Sequence, residues 1–251
     1  MNYKDEIKHT VSKSIESFFL NKKVTVSHPL DLIFPKERRI RSLIGGLETS
    51  LGTKVWEPLA KMFAQNNGFE VLDEKELNAS VLRIPEDVMH KLSDFENKKL
   101  NNPALPHSLY KKEIADFISM KNIKPNERRK MPKGEGVDVW LKKDGQELLI
   151  DIKTVQLNAG GGPKFNKNLL KWYTFRALEL SEHANTRCML AFPFNPHKKD
   201  YWKKEGGKIL PLIFSEEALV GNEFWDLLSG ETNTLELILD AFREMGEENF
   251  G

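Results

Sequence analysis

The stretch that decides the fold is Gly136–Thr154, GVDVWLKKDGQELLIDIKT. Val137 to Lys142 alternates, Asp144-Gly145 is a two-residue hairpin turn signal, and Glu147 to Thr154 is rich in strand formers. With that turn, Lys143 pairs with Gln146 and the register of both strands follows. Asp138 then faces Asp151, and Lys142 faces Glu147 as a complementary pair. Val137/Ile152, Val139/Ile150 and Leu141/Leu148 fall together on the other, uniformly apolar face. Turn chemistry and hydrophobic pattern agree, and a slip of one residue would put every one of these side chains on the wrong side.

Two carboxylates opposite each other in an antiparallel pair stand roughly 4.5–5.5 Å apart at Cβ and repel. A divalent cation between them removes the conflict, and hard Mg²⁺ commonly takes one or two carboxylates plus substrate phosphate. Lys153 lies two residues beyond Asp151, so it projects on the same face. Two acids and a lysine at one spot can hold a metal, generate hydroxide and steady charge developing on phosphorus. An exposed hairpin with ordinary surface charges is the plain alternative; the second Asp in register and the apolar reverse face favour the site.

Outward from the hairpin, helical spacing predicts an amphipathic helix over Asp5 to Phe19 and another carrying Leu43, Ile44, Leu47 and Leu51. Gly52 is expected to stop the second, with Thr53 as cap for a further helix from about Val55 to Gly68. Phe69 to Leu72 reads as a short strand, followed by helices at Pro85 to Lys99 and Leu109 to Lys121. After the hairpin, a glycine run (Gly160, Gly161, Gly162) leads into a helix from about Asn166 to Glu182. Strands are expected at Cys188 to Phe192 and Ile209 to Phe214, then acidic helices from Glu216 and from about Thr234. Strands mixed with helices imply an α/β or α+β fold around a small mixed sheet. One domain over 1–251 is expected, with a helical region to about 68, a catalytic core at about 50–214 and acidic helices at about 215–251.

Composition excludes several classes. The 251 residues are 39% hydrophobic and 30% charged, and no apolar run approaches the roughly 20 residues of a membrane-spanning helix. The N-terminus lacks a signal-peptide core and reads as cytosolic. The single Cys188 rules out an internal disulfide framework or a multi-thiolate zinc site. No HExxH, GxSxG or Walker ending occurs, and no GxGxxG follows a strand. Net charge is only +1, yet from Leu212 onward ten acids face one base, leaving 37 Lys/Arg and 27 Asp/Glu for the rest. A basic body beside an acidic terminus suits a polyanion; a solvated surface of uneven charge accounts for it equally well.

Asp138, twelve residues, then Asp151-Ile152-Lys153 resembles the PD-(D/E)XK nuclease motif, with Val137 in place of the motif's proline. Ser50–Leu72, SLGTKVWEPLAKMFAQNNGFEVL, resembles the helix from which that superfamily adds a glutamate; Glu57 is the matching position and Glu48 the weaker one. With DIKTVQLNAGGGPKFNKNLLKWY after the hairpin, the chain is similar to type II restriction endonucleases, the TdeIII-like group among them. The likeness implies a restriction-endonuclease-like core of mixed β-sheet flanked by helices. It implies Mg²⁺ on Asp138, Asp151 and the Ile152 carbonyl, Glu57 completing the metal environment, and Lys153 activating water. It also implies a homodimer that hydrolyses both strands of double-stranded DNA at a short palindrome and leaves 5′-phosphates.

Candidate DNA contacts are Lys164, Asn166, Lys167, Asn168 and Lys171, read as a loop after the catalytic strand whose glycines let backbone approach phosphate. Arg38, Arg39 and Arg41 could equally bind DNA or flank a dimer face of Ile40, Leu43, Ile44 and Leu47. A repair or junction-resolving nuclease on the same fold, and a non-catalytic DNA-binding protein, are the alternatives.

Overall fold

The computed structural model describes residues 3–21, 32–154, 157–158, 160–181 and 184–248. Helices α1 (Tyr3–Asn21) and α2 (Pro35–Leu51) run through a π-helical turn (Gly52–Trp56) into α3 (Glu57–Asn66). Then follow β1 (Glu70–Leu72), α4 (Glu74–Ala79), β2 (Val81–Leu82), α5 (Glu86–Asn101), α6 (His107–Met120) and β3 (Arg128–Arg129). The hairpin is β4 (Val139–Lys143) and β5 (Gln146–Ile152). The chain continues as α7 (Gly161–Leu180), β6 (Thr186–Phe192), α8 (Tyr201–Ile209), β7 (Ala218–Val220), α9 (Asn222–Ser229) and α10 (Thr234–Glu247).

The main sheet has the order β1-β4-β5-β6-β7. β1, β4 and β5 are antiparallel, whereas β5, β6 and β7 are parallel. This is the expected mixed sheet of an α+β fold. The hairpin register is also as expected, with Val139 on Ile150, Leu141 on Leu148 and Lys142 on Glu147. Asp144 and Gly145 both take positive φ, 49° and 76°, the backbone that a tight two-residue hairpin demands.

Both faces of the sheet are covered. Val139, Leu141, Leu148 and Ile150 pack with Ile7, Val55, Leu59, Phe63, Trp225 and Ile238 from α1, the π-helical turn, α3, α9 and α10. On the reverse, Leu149, Cys188 and Leu190 pack with Phe95, Tyr110, Ile114, Trp172 and Phe175 from α5, α6 and α7. The Lys142–Glu147 pair therefore does not form: Glu147 is buried and grips Arg176 of α7 at 2.7 and 2.8 Å, while Lys142 is exposed. A buried carboxylate takes the partner that satisfies both its oxygens in a dry setting.

Three expected elements are corrected. Gly52 does not stop a helix; its φ and ψ are helical. Ile209 to Phe214 is not a strand, since Ile209 ends α8 and the edge strand is Ala218–Val220. Nor does a helix start at Glu216. The Glu217 carboxylate is buried there, accepting from the backbone of Ile213 and His107 and from Lys99 Nζ at 2.8 Å. The acidic C-terminal helix packs on α1, where Glu244 pairs with Lys4 and Lys8 and Glu248 with Lys8.

Candidate active site

The open end of the hairpin gathers the carboxylates. Asp138 stands one residue before β4, and its N–H donates to the Ile150 carbonyl at 3.0 Å, one step off the ladder register. Its side chain takes over where the ladder stops: the Ile152 N–H donates to Asp138 Oδ2 at 2.8 Å. The cause of the offset is Asn78. Its amide brackets Val137, donating to the Val137 carbonyl and accepting from the Val137 N–H, both at 2.9 Å. Val137 is thereby drawn into the core beside α5–α7, not the face of Val139 and Ile152. The expected Val137/Ile152 pair is absent for this reason. A Cβ on Gly136 would come within 3.2 Å of the Asn78 amide, which favours glycine there.

Asp151 is buried at 4% exposure and forms an ion pair with Lys153, whose N–H donates to the Ala191 carbonyl at 2.9 Å. Burial pushes the Asp151 carboxyl up to about 7, reinforced by Asp138 and opposed by Lys153. Glu57 is half-buried at the start of α3; burial and the nearby Asp138 charge raise it likewise to about 7, against a hydrogen bond from Thr53 and the charge of Lys61. The π-helical turn sets Glu57 in place. A Cβ on Gly52 would lie 3.3 Å from Thr154 Cγ2, so glycine here permits close passage past the end of β5. Single π turns inside α-helices are frequent at functional sites. Glu48 is exposed on α2, at the lip of a cleft of about 490 Å³ that Leu51, Trp56, Lys153, Thr154 and Phe192 also line.

The donor set is oxygen-rich and suits a hard cation. Among the described residues no three or more His, Cys, Asp or Glu side chains form a metal-holding group. Mg²⁺ does not need one, because it keeps several waters and is commonly bound through one or two carboxylates. The buried Asp151 carboxylate, with the Asp138 charge beside it, matches that requirement.

The remaining expected residues are dispersed. Residues 161–171 are helix, not loop. Asn166 is fully buried with Oδ1 on His107 Nε2 at 2.8 Å, and Asn168 is buried and donates to the Gly134 carbonyl at 3.2 Å. Lys167 pairs with Glu96 at 3.1 Å and Lys171 with Glu135 at 2.7 Å. Lys164 alone of the five is exposed, and it shares the Phe165 ring with Lys153. The glycine run serves packing: a Cβ on Gly162 would stand inside the Leu210 carbonyl oxygen. Arg39 and Arg41 are exposed on α2, and Arg38 is half-buried there. Sequence reasoning missed Asn78, Phe165 and the π-helical turn. Only the last carried a local signal, a glycine inside an otherwise helical pattern.

A mixed sheet presenting Asp138, Asp151 and Lys153 at the open end of a central hairpin defines the class: a protein built like the hairpin nucleases. The chain belongs to the HinfI family of type II restriction endonucleases, which it matches over residues 2–246. It is similar to the type II restriction enzyme MjaII of Methanocaldococcus jannaschii, 24% identical over 215 residues, covering 82% of this chain and 54% of that protein. It is also similar to the type II restriction enzyme HgiEI of Herpetosiphon aurantiacus, 27% identical over 113 residues, covering 43% of this chain and 39% of that protein. The chain thus spans about half, or less, of the curated relatives it matches. No solved structure matches it.

Proposed function

We propose that this chain is a site-specific endonuclease that hydrolyses phosphodiesters of double-stranded DNA with Mg²⁺ and leaves 5′-phosphates. The carrying observation is the clustering of Asp138, Asp151 and Lys153 at one end of the hairpin in a chain of the HinfI family.

Mg²⁺, when bound, supplies Lewis-acid polarisation of the scissile phosphate and lowers the pKa of its water. Asp138 and Asp151 would hold it, with the Ile152 carbonyl as a further ligand and Glu57 completing the metal environment. The Ile152 N–H fixes one Asp138 oxygen and so limits how that carboxylate can turn. Lys153 trades its ion pair with Asp151 for the incoming water and phosphate, orienting the nucleophile and offsetting negative charge as it develops. Lys164, exposed beside Phe165, contacts the phosphate backbone near the cut. The chain acts in the cytoplasm as a homodimer, one site for each strand. Among the described residues no helix is long and apolar enough to cross a membrane.

Digestion of unmethylated plasmid with and without Mg²⁺ tests this reading, with wild type beside Asp138→Ala, Asp151→Ala and Lys153→Ala. Discrete fragments that need Mg²⁺ and vanish in all three variants, while DNA binding persists, support it. Well-folded wild type that leaves DNAs of varied sequence intact overturns it, and nicking confined to branched or mismatched DNA points to a repair nuclease.

A further inference from the structure

Helix α2 leaves part of its aliphatic face exposed. Among the described residues it packs on the body chiefly through the π-helical turn that follows it. Ile40, Leu43, Ile44 and Leu47 join neither face of the core, and Ile40 and Ile44 are 62% and 47% exposed. A 17-residue helix carrying Gly45 and Gly46 is marginal in water without tertiary packing. An exposed aliphatic stripe of this kind marks an interface.

We propose that α2 is the docking surface for a second copy of this chain, the two α2 helices lying antiparallel across a two-fold axis. The choice of occupant rests on self-complementarity, which an isologous contact requires. Ile40, Ile44 and Leu47 recur at spacings of four and three and form one seam. Arg41 and Glu48, seven residues apart, lie on the same flank of that seam, next to Ile40 and Leu47. Both are exposed, and neither is in an ion pair among the described residues. Turning a copy end for end sets this flank against itself in reverse order. Arg41 then meets the partner's Glu48, and Glu48 meets the partner's Arg41. A parallel pair would instead set this flank against the one bearing Lys36 and Ser50, where Glu48 and Arg41 lose each other. DNA is a poorer occupant, because it would leave Ile40 and Ile44 wet and press Glu48 against phosphate.

The pairing deepens the homodimer reading above and rests on it. Glu48 and Leu51 border the cleft that holds Lys153, so a two-fold axis at α2 sets the two clefts on either side of one contact.

The test is the mass of the full chain in solution, by sedimentation over about 0.1–100 µM, with circular dichroism as a fold control. Wild type is expected as a dimer and Ile44→Asp as a monomer. Arg41→Glu and Glu48→Arg should each raise the dimer dissociation constant at least tenfold at low salt. The double swap, Arg41→Glu with Glu48→Arg, should return it to within about threefold of wild type. The swap keeps the test decisive if Ile44→Asp fails to fold. A dimeric wild type whose Ile44→Asp variant stays dimeric, or whose double swap is no better than the singles, overturns the α2 surface and leaves the homodimer standing. A wild type monomeric throughout overturns both. Loss of DNA affinity in Arg41→Glu with unchanged mass would assign α2 to DNA and likewise overturn the proposal. A dimer that cuts no DNA leaves this surface intact and removes only the nuclease reading.

Discussion

The ammonium of Lys153 lies 4.9 Å from the centre of the Phe165 ring, and Lys164 reaches the same ring at 5.8 Å. The ring packs against the core from the first turns of α7, so it is a fixed surface on which Lys153 rests beside Asp151. A cation over an aromatic face gains about 0.5–2 kcal/mol, which translates into a roughly two- to thirtyfold effect on a rate. Phe165→Leu should lower kcat by that factor while DNA affinity measured in Ca²⁺ stays constant, and Phe165→Tyr should restore it. Equal kcat in Phe165→Leu and wild type would remove Phe165 from the positioning of Lys153.

Glu147 and Arg176 form a buried bidentate pair that ties the hairpin to α7, with the guanidinium also 5.3 Å from the Trp140 ring centre. Removing one partner strands the other charge, at a cost of about 3–5 kcal/mol. Glu147→Gln should therefore lower the urea midpoint substantially, and the joint change Glu147→Leu with Arg176→Met should cost clearly less. Additive losses would show that the pair is not coupled.

Two neighbouring glycines of α8 should respond with opposite sign. A Cβ on Gly206 would lie 2.6 Å from Phe214 Cζ, whereas one on Gly207 meets nothing within 4 Å. Gly207→Ala should gain about 0.5–1 kcal/mol from helix propensity, and Gly206→Ala should lose about 1–3 kcal/mol by overpacking. Thermal melts of the two variants check the sign directly.

The clasp between α1 and α10 should be sensitive to acid. Hydrogen bonds from Lys4 and Lys8 hold the Glu244 carboxyl below its usual range. A carboxyl depressed in the folded state stabilises above its unfolded value, and that stability is lost as pH falls through the folded value. Wild type should thus be more stable than Glu244→Gln at neutral pH, and the two should converge in acid below the carboxylate range. Because the pair is exposed, the difference should also shrink in molar salt. A gap independent of both pH and salt would contradict this account.

The mixed sheet and its central hairpin were legible in the sequence because they depend on neighbours. Asp144-Gly145 needs positive φ at both positions, and alternation of side chains then sets the register as far as Val139 and Ile150. The basic segment after the hairpin was misread for the opposite reason. Asn166 and Asn168 look like surface amides, yet their partners are His107 and Gly134, 59 and 34 residues away in sequence. Glu217, which sequence spacing placed on a helix, is held out of one by Lys99 and His107.

By itself the sequence determined a hairpin, its turn and the alignment of its two strands, since each follows from backbone sterics and side-chain alternation over a few residues. Only the tertiary structure decided where the ladder ends and which carboxylates share a field. Asn78 captures Val137 from 59 residues upstream, and a helical turn that glycine allows past Thr154 brings Glu57 under the influence of Asp138. A buried polar group must find a partner wherever the fold supplies one, and no local pattern encodes which distant residue that is.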